Sequence, residues 1–292
     1  MNFFIIFSIN YTGTYTHLKV KAVKTKFWRP NEDFLKIIVE SVQSFLRNGD
    51  IVVISEKAIS TSLGNIVDES KVVPGFLAKF LVIIWMRLFW GFFLGNICRF
   101  KESSINHFRF YPLKEGSSHK QVVLRCSGFL SALKYGSEGG IDISNMPSSL
   151  ACLPLEKPQI LARQIYEKLK KKTGKNLTVI ISDTDSTFSF HNIHFTSHPH
   201  PIKGIINFGG VLPFILGRAL NVRQRATPLA VEGVKVEVEE AILFAEIAHH
   251  IRGSGAGRTV WDMSKRYNVN FSEITWNMLD LVKHFPIVLL RR

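Results

Sequence analysis

Ser137-Glu138-Gly139-Gly140-Ile141-Asp142-Ile143-Ser144-Asn145 is answered downstream by Val179-Ile180-Ile181-Ser182-Asp183-Thr184-Asp185. Paired glycines let a backbone approach a ligand closely. An aspartate follows at once, and an asparagine closes the turn. The second stretch is a short apolar strand that spills into hydroxyl and acidic residues at its C-terminal end, where open α/β sheets receive ligands. Two acidic loops separated by one helix can converge on a single hard cation, because Mg²⁺ and Mn²⁺ favour carboxylate oxygens. The same aspartates are equally able to shape turns or cap helices. The two stretches alone leave both readings open.

The totals set the frame. A chain of 292 residues, 46% hydrophobic and 21% charged, buries a sizeable core and is not disordered. A net charge of +14 with a pI near 9.8 suits an anionic partner: a phosphorylated small molecule, nucleic acid or an acidic membrane surface. No nucleic-acid motif is present, so nucleic acid is not an expected partner. Cys98, Cys126 and Cys152 are scattered and form neither a disulfide framework nor a zinc spacing, which favours a reducing cytoplasm. The start, Met1-Asn2-Phe3-Phe4-Ile5-Ile6-Phe7, lacks a basic n-region and a cleavage site. It reads as a strand or a ragged start, not a signal peptide.

Outward from the two acidic loops, Leu18 to Trp28 alternates as a strand, and Pro30-Asn31-Glu32-Asp33 opens a helix with Asn31 as N-cap. Ile51-Val52-Val53-Ile54 is a buried strand entering Ser55-Glu56-Lys57, either a ligand-facing loop or a solvated turn. Phe76 to Cys98 is strongly apolar but carries Lys79 and Arg87, so it reads as a buried or dimer-interface helical hairpin turning near Gly91 or Gly95. Membrane-surface contact and a true span rank behind that reading. Helical spacing covers 119–134, 158–172 and 237–251, and a closing helix is expected over 275–284.

His191, His194, His198 and His200 crowd one loop-like stretch without a recognised metal spacing. A basic loop meeting an anionic substrate, a plain surface loop and a metal site all remain open for it. Arg218, Arg223 and Arg225 offer bidentate anion contacts or simple solvated charge. Arg252-Gly253-Ser254-Gly255-Ala256-Gly257-Arg258 follows a helix, so it is neither a Rossmann fingerprint nor a Walker loop. It can still wrap phosphates through backbone N–H groups, or serve as a helix cap and connector.

Taken together, these blocks resemble the coenzyme F-420-0:L-glutamate ligases (gamma-glutamyl ligases). The residues that carry the resemblance are Gly49 to Ser60, Gly140-Ile141-Asp142-Ile143-Ser144-Asn145-Met146-Pro147 and Val179 to Thr184, with a weaker match from Gly217 to Ala230. The resemblance implies a mixed-sheet α/β (α+β) fold, helices packed around it, and a homodimer. It implies GTP-dependent amide bond formation between L-glutamate and a phosphorylated deazaflavin-type acceptor, through an acyl phosphate. Two divalent ions, Mg²⁺ or Mn²⁺, would hold the phosphates, with K⁺ as a further candidate ion. Carried over by position, Asp142 and Asp183 would be the catalytic pair and bind metal together with Thr184. Glu56, Lys57, Asn145, Gly253, Gly255 and Gly257 would contact nucleotide.

The chain departs from the family motifs in three places, and its aromatic insertion near Phe76–Cys98 and helical tail beyond Trp261 are also unlike the better-known members. Glu138-Gly139-Gly140 stands where the family reads Asn-Ala-Gly. Asp185-Ser186-Thr187 follows Asp183-Thr184 where the family continues x-Gly-Arg, and Thr61 replaces a common lysine. The resulting expectation is a cytoplasmic ligase. Residues 1–257 would form the catalytic region with an apolar helical insertion at 76–100, and 258–292 a C-terminal helical extension. The alternative is a non-catalytic anion-binding or membrane-peripheral protein on a degenerate ligase fold.

Overall fold

The computed structural model describes residues 5–11 and 14–292, with side chains from Leu18 onward. Residues 1–4, the first part of the apolar start, lie outside the described residues. The strands are β1 (Ile5–Tyr11), β2 (Thr14–Thr25), β3 (Ile51–Ser55), β4 (Ile66–Asp68), β5 (Leu150–Cys152), β6 (Thr178–Phe190), β7 (Ile193–Thr196), β8 (Ile205–Ile206), β9 (Arg223–Gly233) and β10 (His284–Arg291). An eight-stranded mixed sheet runs β1-β2-β10-β3-β6-β7-β8, with β9 paired along the other edge of β6. β3 and β6 are parallel, whereas β10 is antiparallel to both β2 and β3.

Both faces of the sheet are covered, which explains why its central strands are continuous apolar runs and not alternating ones. Val52 and Ile54 pack into a core with Phe34, Ile38 and Val42 of the Phe34–Val42 helix and Ala162, Ile165 and Leu169 of the Pro158–Thr173 helix. Ile51 and Val53 face the other way, onto Phe244, Ile247 and Ala248 of the Val238–Arg252 helix. The Pro158–Thr173 helix has its expected ends: proline in the first turn, lysines in the last and a left-handed Gly174. At the Phe34–Val42 helix the cap is Asp33, whose carboxylate accepts from Lys36 N at 3.0 Å. Asn31, expected there, lies two residues earlier with a φ of 67°.

The expected helical extension over 258–292 is corrected by the structure. Helices form at Val260–Tyr267 and Trp276–Asp280, but His284–Arg291 inserts as β10 between β2 and β3. Ile287 and Leu289 enter one core while Val288 and Leu290 enter the other, all at 0% exposure. Such a two-sided apolar run requires cover on both faces, and the centre of the sheet provides it.

The insertion is helical, as expected, but it is not a hairpin at the glycines. Phe76–Ile97 is one continuous helix with π-type hydrogen bonding over Leu81–Leu94, and the chain reverses beyond it into the Glu102–Arg109 helix. Its buried residues, among them Leu81, Met86, Trp90 and Gly95, recur at intervals of four and five, which suits the wider helix. Gly91 and Gly95 admit the returning helix. A Cβ at Gly91 would lie 3.0 Å from Arg109 Cγ, and one at Gly95 3.1 Å from Ile105 Cγ1. The helix expected over 119–134 starts earlier, at Leu113–Cys126, and resumes at Phe129–Ala132 after Gly128, whose φ is 81°.

Candidate active site

Because β3 and β6 are parallel, with Ser55 opposite Ser182, their C-terminal ends open on the same edge of the sheet. The Glu56–Ser62 helix leaves β3 directly at that edge. The first acidic loop is held against β5: Asp142 N donates to Cys152 O at 3.0 Å, and Cys152 N returns to Asp142 O at 2.9 Å. Between these segments lies a cavity of about 700 Å³, within the size range of small-molecule sites.

Lys57, Asp142, Ser144, Asn145, Asp183, Thr184, Arg252, Gly253, Gly255 and Gly257 all line this cavity. Asp142 and Asp183 thus both belong to the wall of one cavity. They are not equivalent. The Lys57 ammonium is paired with Asp142 and also donates to Ser144 O and Ser144 Oγ, both at 3.0 Å. Burial opposes its charge, but Asp142 and, more weakly, Asp183 outweigh that and hold the Lys57 pKa above its ordinary value. Asp142 also accepts from Ser144 N at 2.7 Å, which fixes the loop on which it sits.

Asp183 accepts from Asp185 N at 3.0 Å. Nearby, Arg252 donates through Nη1 to Ser182 Oγ at 3.1 Å, while its Nε and Nη2 are buried without a hydrogen-bond partner. Burial pushes Arg252 down to about 10, opposed by Asp183, so the guanidinium stays charged at neutral pH. Buried donors without acceptors are costly.

Glu56 lies off the cavity wall, whereas Asn145 lines it with its side chain engaged by the glycine-rich loop. Glu56 is 3% exposed and is absent from the cavity wall; it accepts from Leu155 N at 2.7 Å and faces His198 Nε2 at 3.2 Å. Burial opposes charge on His198, yet Glu56 raises it to about 9. Asn145 spends its side chain on the glycine-rich loop. Its amide donates to Gly257 O at 3.0 Å and accepts from Ala256 N at 2.6 Å. A Cβ at Gly255 would lie 2.5 Å from Asn145 Oδ1, so this clamp requires glycine there.

Of the four histidines, His198 alone joins an acidic cluster that includes Asp183: Glu56, Asp183 and His198 place ligand-type atoms within 4.8 Å of one another. A proton on Nε2 facing Glu56 makes this a hydrogen-bonded cluster as it stands. Asp142, expected to share a metal with Asp183, is outside this group, and its carboxylate is paired with Lys57. Arg218 and Arg225 are engaged away from the cavity, with Cys98 O and with Glu239.

Sequence reasoning missed the aromatic wall, which includes Trp28, Tyr135, Trp261, Trp276 and Phe285. It also missed a buried charge network that reaches the cavity wall through Glu69, His119 and Glu138. His119 bridges Glu69 at 2.6 Å and Glu138 at 2.8 Å; Lys120 meets Glu138 at 2.8 Å; Lys134 meets Asp185 at 2.9 Å. Glu138 occupies the first position of the departed Asn-Ala-Gly motif, and that departure was the available signal.

Residues 22–211 match the family described as F420-0:Gamma-glutamyl ligase. The chain belongs to the F420-0:gamma-glutamyl ligase family. An uncharacterized protein of Methanocaldococcus jannaschii is 34% identical over 286 residues, spanning 94% of this chain and 96% of that protein. The family match contains both acidic loops of the gamma-glutamyl ligase fold and ends at residue 211. The opposite wall of the cavity, from Arg252 to Pro286, comes from chain beyond that match.

Proposed function

We propose that the chain is a GTP- and divalent-metal-dependent ligase that joins L-glutamate to a phosphorylated deazaflavin-type acceptor as a cytoplasmic homodimer. The observation that carries this reading is the single cavity. It gathers Lys57, Asp142, Asp183, Thr184 and the Arg252–Gly257 tract from segments remote in sequence. A divalent ion, when bound, neutralises phosphate charge and aligns the transferred group.

The chain's own residues do the rest. Asp183 and Thr184 present oxygens for the ion, and Asp142 adds a third where Lys57 yields it. Arg252, two of whose donors have no hydrogen-bond partner, would meet the phosphates, and the glycines on the cavity wall would offer backbone contacts. The aromatic wall receives a planar ring by stacking. In the reaction the acceptor carboxylate attacks the γ-phosphorus and GDP leaves. The glutamate amine then attacks the acyl carbon, loses a proton and displaces phosphate.

Purified protein incubated with GTP, Mg²⁺ or Mn²⁺, glutamate and the deazaflavin acceptor should yield equimolar GDP and glutamylated product by mass spectrometry. Asp142→Asn should lower that rate by about 100-fold or more, the scale of one preorganised charge contact, with circular dichroism unchanged. Absence of both products in every metal condition refutes the reading. The Lys57–Asp142 pair favours a second reading, non-catalytic anion binding on a ligase fold. Nucleotide binding without GDP release would select it.

A further inference from the structure

The Phe76–Ile97 helix has two unlike faces. Leu81, Val82, Met86 and Trp90 are 0–1% exposed and pack into the body of the protein. Opposite them, Phe76, Phe80, Leu88, Phe92 and Phe93 are between 44% and 85% exposed, and Phe110 beside the returning helix is 81% exposed. The exposed rings gather with one another: Phe76 stacks on Phe80 at 6.4 Å and Phe89 meets Phe93 at 6.2 Å. A contiguous apolar surface of this kind marks an interaction site.

The charges around it state what covers it. From residue 70 to residue 134 the sequence holds ten lysines and arginines, eight of them besides the buried, ion-paired Lys120 and Lys134, and two acids, Glu102 and Glu115. Lys79 lies on the helix, Arg99 and Lys101 follow its C-terminal end, and the Arg109 guanidinium rests 4.8 Å above the Phe92 ring. Arg87, at mid-helix, donates to Tyr111 O at 2.9 and 2.7 Å, which ties the helix to its neighbours.

We infer that this face docks the enzyme on an anionic lipid surface, with the helix lying in the interface and its aromatic side among the acyl chains. The helix is long and apolar enough to cross a bilayer. A crossing, however, would strip Trp90 and Met86 from their packing and drag Arg87 into hydrocarbon. Lying flat keeps those contacts and immerses only the unpartnered face, with the basic rim among the headgroups. A second copy on the same face would set like charges against like across a two-fold interface. An anionic bilayer meets both the apolar and the charged features.

The test is co-sedimentation of the full chain with sucrose-loaded vesicles of phosphatidylcholine, with and without phosphatidylglycerol. Partition onto anionic vesicles should exceed that onto neutral ones by roughly tenfold or more and weaken as salt rises. Phe92→Glu/Phe93→Glu should reduce it by roughly tenfold, and Lys79→Glu/Lys101→Glu should remove the preference for anionic lipid. All four positions are exposed and none lines the cavity, so thermal melts and nucleotide binding should match the parent. No vesicle association by the well-folded parent overturns the proposal. So does a parent dimer, seen by light scattering, that the Phe92→Glu/Phe93→Glu variant dissolves: it would assign the face to a second copy.

Discussion

At the scale of single residues, the site depends on which charges hold one another and which are left free. Arg252 is the clearest free donor, with two buried N–H groups unpartnered at the cavity. Arg252→Gln should weaken nucleotide affinity by about 10- to 100-fold, the worth of one or two charge-assisted hydrogen bonds, read by calorimetric titration. His119 is the opposite case, a buried cation clasped by Glu69 and Glu138. Burial opposes its charge, but the two carboxylates lift its pKa from 6.5 to about 10. A group raised on folding contributes stability that is whole below its unfolded pKa and is lost as pH climbs through the folded one. Urea melts should therefore show stability falling between pH 7 and pH 10. His119→Gln should cost about 3–5 kcal/mol at neutral pH by stranding a buried carboxylate. That variant should also flatten the alkaline slope; an unchanged slope would assign the loss to another group.

Among elements, β10 carries the most consequence. It closes the sheet between β2 and β3 and delivers side chains to both cores. Truncation after Lys283 should abolish cooperative folding, where a mere appended helix would be dispensable. Leu289→Ala, at a fully buried position, should cost about 2–5 kcal/mol, measured by denaturant unfolding. The parallel β3–β6 pair was legible because Ile51–Ile54 and Val179–Ile181 are apolar runs that end in polar residues. β10 has the same kind of run, Ile287 to Leu290, but it follows a helix-like stretch. Local spacing does not say which distant edge a strand will join.

Over the whole molecule, the cavity joins the family-matched region to the late chain. The first supplies the carboxylates, the second the arginine, the glycine tract and much of the aromatic wall. Ligand binding should therefore reinforce the whole fold. GTP at about 100 times its dissociation constant should add about 2.7 kcal/mol, visible as a raised melting midpoint. An unmoved midpoint with Mg²⁺ present would mean that the cavity does not take nucleotide.

The sequence by itself determined the buried strand Ile51–Ile54, the apolar start of β6, the two acidic loops and the family. Each of these is written in short-range pattern: side-chain periodicity, or backbone freedom at a turn. Only the tertiary structure decided that Lys57 would settle on Asp142, that His198 would reach Glu56 across 142 residues, and that the C-terminal segment would sit mid-sheet. Those pairings follow from desolvation. A buried charge or a two-sided apolar strand must find its complement wherever the folded chain brings one near, and sequence distance does not enter that choice.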